Sequence, residues 1–171
     1  MTPAVIIAFG TLAAVLAVMA GEAVLSAHNA SVLRARGAVE PPDDVYQLMQ
    51  VAYPLAFVAM AVEGALRGPS PPLALGVGLG LFGVAKALKG WAISTLGTRW
   101  SFRVLVPPGE PPIARGPYRL MRHPNYLAVC GEILGAALIS GAFASGAVAF
   151  AGFGWLMLRR IAIEDRALGR R

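Results

Sequence analysis

The run Arg115-Gly116-Pro117-Tyr118-Arg119-Leu120-Met121-Arg122-His123-Pro124-Asn125-Tyr126 gathers guanidinium, imidazole, carboxamide and phenol groups in a chain that is 57% hydrophobic. It opens a long apolar segment that carries one carboxylate, Glu132. A charge toward mid-bilayer costs about 2.5–3.5 kcal/mol on insertion scales, so such residues mark function by default. Near the C-terminus stand Arg159, Arg160, Glu164 and Asp165. Arg160 and Glu164 are four apart and share a helix face. Asn125 and Glu132 are seven apart, two turns along one face, which directs Glu132 toward the same cavity. Carboxylates of this kind can balance a positive cofactor or bind its hydroxyls, and Arg160 can orient an anionic acceptor. Taken singly, Arg122, His123 and Tyr126 also fit interfacial anchoring. As a set they read as the rim of a cofactor site.

The elements that must hold this rim follow from hydropathy, because about 20 apolar residues cross a bilayer. Spans are expected at about 3–25, 45–66 (kinked by Pro54), 73–96, 124–140 and 147–163. A polar loop at 26–44, a turn at 67–72 and a long, irregular loop at 97–122 separate the first four. The last two spans form a helical hairpin, which sets Arg122–Tyr126 beside Arg159–Asp165. The fold class expected is therefore all-α integral membrane, one domain over 1–171. Residues 1–96 would be a three-helix scaffold, and 97–171 the cofactor-binding loop and catalytic hairpin. Twelve of the 15 Lys and Arg residues fall in the regions that five spans put on one side. By the positive-inside rule that side is the cytoplasm.

A net charge of +6 does not point to nucleic acid here, since the basic residues lie between apolar spans, where they meet anionic headgroups. The single Cys130 excludes an internal disulfide and a cysteine-based zinc site; no metal is expected. The apolar run after Met1 lacks a charged leader and is too long for a signal peptide, so it reads as a retained span. Gly78-Leu-Gly-Leu-Phe-Gly83 matches a dinucleotide-binding pattern but lies within a span, without strand context. The pairs Gly76/Gly80 and Gly131/Gly135 read as packing glycines. Glu22 and Glu63, near span ends, suit structural pairing, and Lys86 and Lys89 suit an interface.

The motif Gly116-Pro-Tyr-Arg-x-x-Arg-His-Pro-Asn-Tyr126, followed by Glu132 and Arg160-Ile-Ala-Ile-Glu164-Asp165, resembles the isoprenylcysteine carboxyl methyltransferase family. These are integral-membrane enzymes that use S-adenosylmethionine and are related to phospholipid N-methyltransferases. Ser26-x-His28-Asn29, Ala35-Arg-Gly-Ala-Val-Glu40 and Arg99-Trp100 through Pro108-Gly109 are similar to a bacterial branch, the alkylpyrone O-methyltransferases associated with type III polyketide synthases. The resemblance implies S-adenosylmethionine as cofactor, with His123, Pro124 and Tyr126 in its pocket. It gives Glu164 to that pocket or to catalysis with Arg160. With the hairpin neighbours, the candidate cofactor-binding set is Arg122, His123, Pro124, Asn125, Tyr126, Glu132, Glu164 and Asp165, and the catalytic pair Arg160 and Glu164. Asp165 replaces the family's usual second Glu. The short stretch after Asp165 leaves cofactor closure to the 97–122 loop.

The expected activity is methylation of a lipophilic acceptor, an alkylpyrone or alkylresorcinol-type polyketide. Carboxyl methylation of an isoprenylated cysteine and N-methylation of a phospholipid are the alternatives. A small transport or assembly protein is the non-enzymatic one. The expected setting is a bacterial inner membrane, with membrane lipids and the lipophilic substrate as partners and the site facing the cytoplasm.

Overall fold

The computed structural model describes residues 2–169 and contains five α-helices: α1 (Pro3–Ala35), α2 (Tyr46–Arg67), α3 (Pro72–Leu96), α4 (Pro124–Ser140) and α5 (Phe143–Ala167). Four of them are long and apolar enough to cross a membrane; α4, at 17 residues, is shorter. The protein is all-helical and integral to the membrane. Arg170 and Arg171, counted toward the basic side above, lie outside the described residues.

Helix boundaries follow local chemistry. Thr2 caps α1 by accepting from the Val5 amide, and prolines stand in the first turn of α1, α3 and α4, where a missing N–H costs nothing. Gly141, in the left-handed region at φ 68°, ends α4, and α5 begins two residues later. The expected six-residue turn is thus only Gly141-Ala142. Glu63 of α2 supplies the cap that α5 lacks, accepting from the Ala144 and Ser145 amides at 3.0 and 2.6 Å.

The first helix departs most from expectation. It does not stop at Leu25 but continues for ten residues through the stretch read as a polar loop. Nothing between Ser26 and Ala35 breaks a helix, and the buried residues there (Ser26, Asn29, Ala30 and Leu33) recur on one face. That face receives the 97–122 loop.

The α3–α4 pair is the most extensive helix contact. A Cβ on Gly78 would come within 2.8 Å of the Ile139 amide nitrogen, and one on Gly135 within 2.8 Å of the Phe82 backbone. Gly131 and Gly135 therefore pack closely, as expected. On α3, however, the packing glycine is Gly78, because Gly76 and Gly80 face open space. The core of Met49, Tyr53, Phe57, Met60, Val129, Ile133, Phe153, Leu156 and Met157 joins α2, α4 and α5.

Candidate functional site: two adjoining cavities at one end of the bundle

The 97–122 loop contains only two short 3₁₀ turns, Gly97–Arg99 and Gly116–Arg119, and one bridge, Val39 to Val106. Its position is nevertheless fixed by named bonds. Asn29 of α1 donates to the Trp100 carbonyl at 2.8 Å, and Ser26 accepts from the Phe102 amide at 2.8 Å. Trp100 is buried, and its ring meets Phe102 edge-on. Glu40 pairs with Arg34 at 2.9 Å and Arg103 at 2.7 Å. Burial raises the Glu40 pKa, but bonds and charges from Arg103 and Arg34 outweigh it and hold the carboxyl below its usual range. The loop is thereby clasped over the ends of α1, α2 and α5.

Beneath it lie two cavities. The first encloses about 610 Å³ of empty space open to solvent, lined by Arg99, Trp100, Arg103, Tyr118, Arg122, His123, Asn125, Tyr126, Arg160 and Glu164 among others. The second, about 840 Å³, is lined mainly by apolar groups, including Met19, Met49, Pro54, Phe102, Val129 and Phe153. Exposed Ala23 of α1 and Gln50 of α2 mark its mouth. Ser101, Asn125, Tyr126 and Arg160 line both cavities and form their common wall.

The hairpin unites the predicted rim. Tyr126 donates to Glu164 at 3.0 Å, His123 Nε2 stands 3.2 Å from Asp165, and its Nδ1 lies 3.7 Å from Glu164. Burial, then the Glu164 charge, pushes the Tyr118 phenol well above its usual range, so it remains a neutral donor in the first cavity. Pro124 is buried at the first position of α4 and Asp165 acts through His123; neither lines a cavity.

One placement differs from the sequence reading, and one residue has partners it did not name. Arg160 does not pair with Glu164, its neighbour one turn on. It donates to the Phe102 carbonyl, lies 3.4 Å from Asp44, and is 6% exposed. Glu132 shares a helix face with Asn125 but does not reach the cavity; it is fully buried among Tyr53, Lys86 and Lys89. The interior supplies partners that draw it in. Lys86 likewise pairs inside the bundle instead of reaching outward. Sequence reasoning missed Asp44 and Tyr46, whose ring centroid lies 4.6 Å from the Arg103 guanidinium and 5.7 Å from that of Arg160, and named Trp100 only within the branch resemblance; the Pro41-Pro-Asp-Asp44 stop before α2 was the available signal for Asp44.

Whether the rim suits S-adenosylmethionine can be judged from its donor set. The Asn125 Oδ1 is buried without a hydrogen-bond partner among the described residues, on the wall of the polar cavity. A buried polar atom left unpaired costs about 1–3 kcal/mol, so this one fits a ligand donor such as an ammonium or amine. The Glu164 carboxylate on the same wall suits a sulfonium charge or ribose hydroxyls, and the surrounding arginines suit a carboxylate. The residues fit the group.

The fold and site define a helical membrane protein with a polar cavity and an apolar cavity separated by one wall of polar side chains. This chain belongs to the isoprenylcysteine carboxyl methyltransferase (ICMT) family, a family of membrane methyltransferases, whose sequence model matches residues 78–170. It is 32% identical over 163 residues to the uncharacterized protein YpbQ of Bacillus subtilis (strain 168), across 94% of this chain and 96% of that protein. No solved structure matches the chain.

Proposed function

We propose that this protein transfers a methyl group from S-adenosylmethionine to a lipophilic acceptor. The observation that supports this reading best is the adjacency of two cavities of opposite character, sharing Asn125, Tyr126 and Arg160. The cofactor, when bound, supplies an electrophilic methyl on a sulfonium. Arg122, His123, Asn125, Tyr126 and Glu164 would hold it in the polar cavity, with Asp165 fixing the His123 ring. Methyl transfer by in-line displacement needs positioning and exclusion of water more than acid–base help. The 97–122 loop provides the cover, and Arg160 faces the acceptor oxygen with a guanidinium that stabilises negative charge.

The acceptor most in keeping with the apolar cavity is an alkylpyrone or alkylresorcinol-type polyketide, a greasy chain with an acidic hydroxyl. The enolic hydroxyl of a pyrone is readily anionic, so that acceptor requires no strong base, whereas a resorcinol hydroxyl would have to give up its proton to a base. A bacterial inner membrane is the proposed setting, and the arginine distribution supports a site toward the cytoplasm. Labelling a Ser101→Cys variant in a Cys130→Ser background with an impermeant maleimide tests this; reaction from outside intact cells would reverse it. The binding test is calorimetry on protein in nanodiscs: saturable S-adenosylmethionine binding, weakened by His123→Ala and Tyr126→Ala, is expected. Absence of binding by the wild-type protein would remove the methyltransferase reading.

A further inference from the structure

A charged cluster lies deeper in the bundle, outside the rim. Lys89 Nζ is 2.6 Å from Glu22 and 3.4 Å from Glu132, while Lys86 Nζ is 3.3 Å from Glu22 and 3.1 Å from Glu132. Tyr53 donates to Glu132. Two ammonium and two carboxylate groups cancel in formal charge, which makes burial tolerable. A buried ion-pair set of this kind is often no more stabilising than apolar residues of similar volume, so stability alone gives it no reason to exist.

Its placement offers one. Of these five residues only Lys89 and Tyr53 reach the apolar cavity, whose lining is otherwise chiefly hydrocarbon. Lys89 is 2% exposed, and an ammonium has three donors. Its two carboxylate partners leave one of the three unclaimed, and the Tyr53 ring, 5.9 Å from the ammonium, lines the cavity beside it. Tyr53 stands one helical turn deeper than Met49, whose sulfur packs 3.7 Å from the Arg160 guanidinium. The cavity thus has cationic side chains at two levels, Arg160 beside Met49 and Lys89 beside Tyr53, which are one turn apart along α2. A lipid with a single polar terminus satisfies only one level.

We infer that Lys89, presented by Glu22 and Glu132 and flanked by Tyr53, is a specificity-determining donor, so that the acceptor's head carries two oxygen functions. One oxygen takes the methyl group beside Arg160; the other, a carbonyl or ring oxygen, accepts from Lys89. This rests on the lipophilic-acceptor reading above.

The test compares two probes of matched chain length in nanodiscs: an alkyl hydroxypyrone, with hydroxyl and ring carbonyl, and an alkylphenol, with a hydroxyl alone. Calorimetry should show the wild-type protein binding the hydroxypyrone at least about tenfold more tightly, the value of one hydrogen bond from a charged donor. The charge-matched Lys89→Met/Glu22→Gln variant should lose that preference, and Lys89→Gln, which retains a donor, should keep part of it. Cofactor affinity, measured in parallel, reports on the polar cavity. Its absence from the wild type would overturn the methyltransferase reading while the lipid preference is still read. Equal binding of the two probes by the wild type, binding of neither, or an undiminished preference in both Lys89 variants would overturn the inference.

Discussion

Arg160→Lys isolates the role of the shared wall. Arg160 is buried, reaches both the Phe102 carbonyl and Asp44, and lines both cavities. Lysine retains the charge but has a single nitrogen in place of the planar fork. Although an ammonium has three donors, they diverge from one nitrogen on a shorter side chain, so it does not reproduce the fork that spans the loop carbonyl, Asp44 and an acceptor oxygen, and one charge-assisted contact is lost. That contact is worth about 1.5–3 kcal/mol, or about ten- to over a hundredfold in rate. The loss should appear in turnover, with the S-adenosylmethionine dissociation constant little changed, because Glu164, Tyr126 and His123 stay in place. Initial rates under saturating cofactor, with calorimetry on the same preparation, separate the two quantities. Near-normal turnover would refute the argument. So would a weakened cofactor affinity with turnover per bound complex unchanged. Asp44→Asn serves as a control, since it leaves the fork intact and loosens only its anchor.

The complementary change, Glu164→Gln, removes a carboxylate but leaves an acceptor for Tyr126; the apparent constant for S-adenosylmethionine should rise about tenfold or more, with a smaller effect on turnover at saturation, as measured by titrated initial rates. Gly78→Ala forces a methyl against the Ile139 amide and should cost about 1–3 kcal/mol in thermal unfolding in detergent, while Gly76→Ala, facing open space, should be neutral or slightly stabilising. The Glu40 clasp carries a pH signature. Because its folded value lies below the ordinary carboxylate value of 4.5, its stabilisation is present above that pH and is lost as pH falls through the lowered value. Proteolysis of the 97–122 loop should therefore accelerate on acidification below about 4.5, and Glu40→Gln should be fast already at neutral pH with a flattened dependence.

What was legible in the sequence was whatever rested on hydropathy and short-range geometry. The apolar runs located α2, α3 and α4 to within a residue, and antiparallel packing of α4 on α5 brought Tyr126 to Glu164 and His123 to Asp165. Contacts set by distant partners were not legible. Hydropathy ended the first span at Leu25, whereas the helix continues, because Ser26 and Asn29 find their partners at Phe102 and Trp100 across the loop. Helical spacing put Glu132 on the face of Asn125, yet Lys86, Lys89 and Tyr53 from two other helices hold it inside. Arg160 found Asp44 for the same reason: no local pattern announces a carboxylate 116 positions earlier in the chain.

The central claim is that the polar and apolar cavities bind two reactants that meet at the Asn125–Tyr126–Arg160 wall. The most direct measurement is transfer of a radiolabelled methyl group from S-adenosylmethionine into solvent-extractable lipid by protein in nanodiscs supplied with an alkyl hydroxypyrone. The account predicts time-dependent label in the lipid fraction, lost with Tyr126→Ala and reduced with Arg160→Lys. Cofactor binding without label in any lipophilic acceptor, from hydroxypyrone to prenylcysteine to phospholipid, would contradict it.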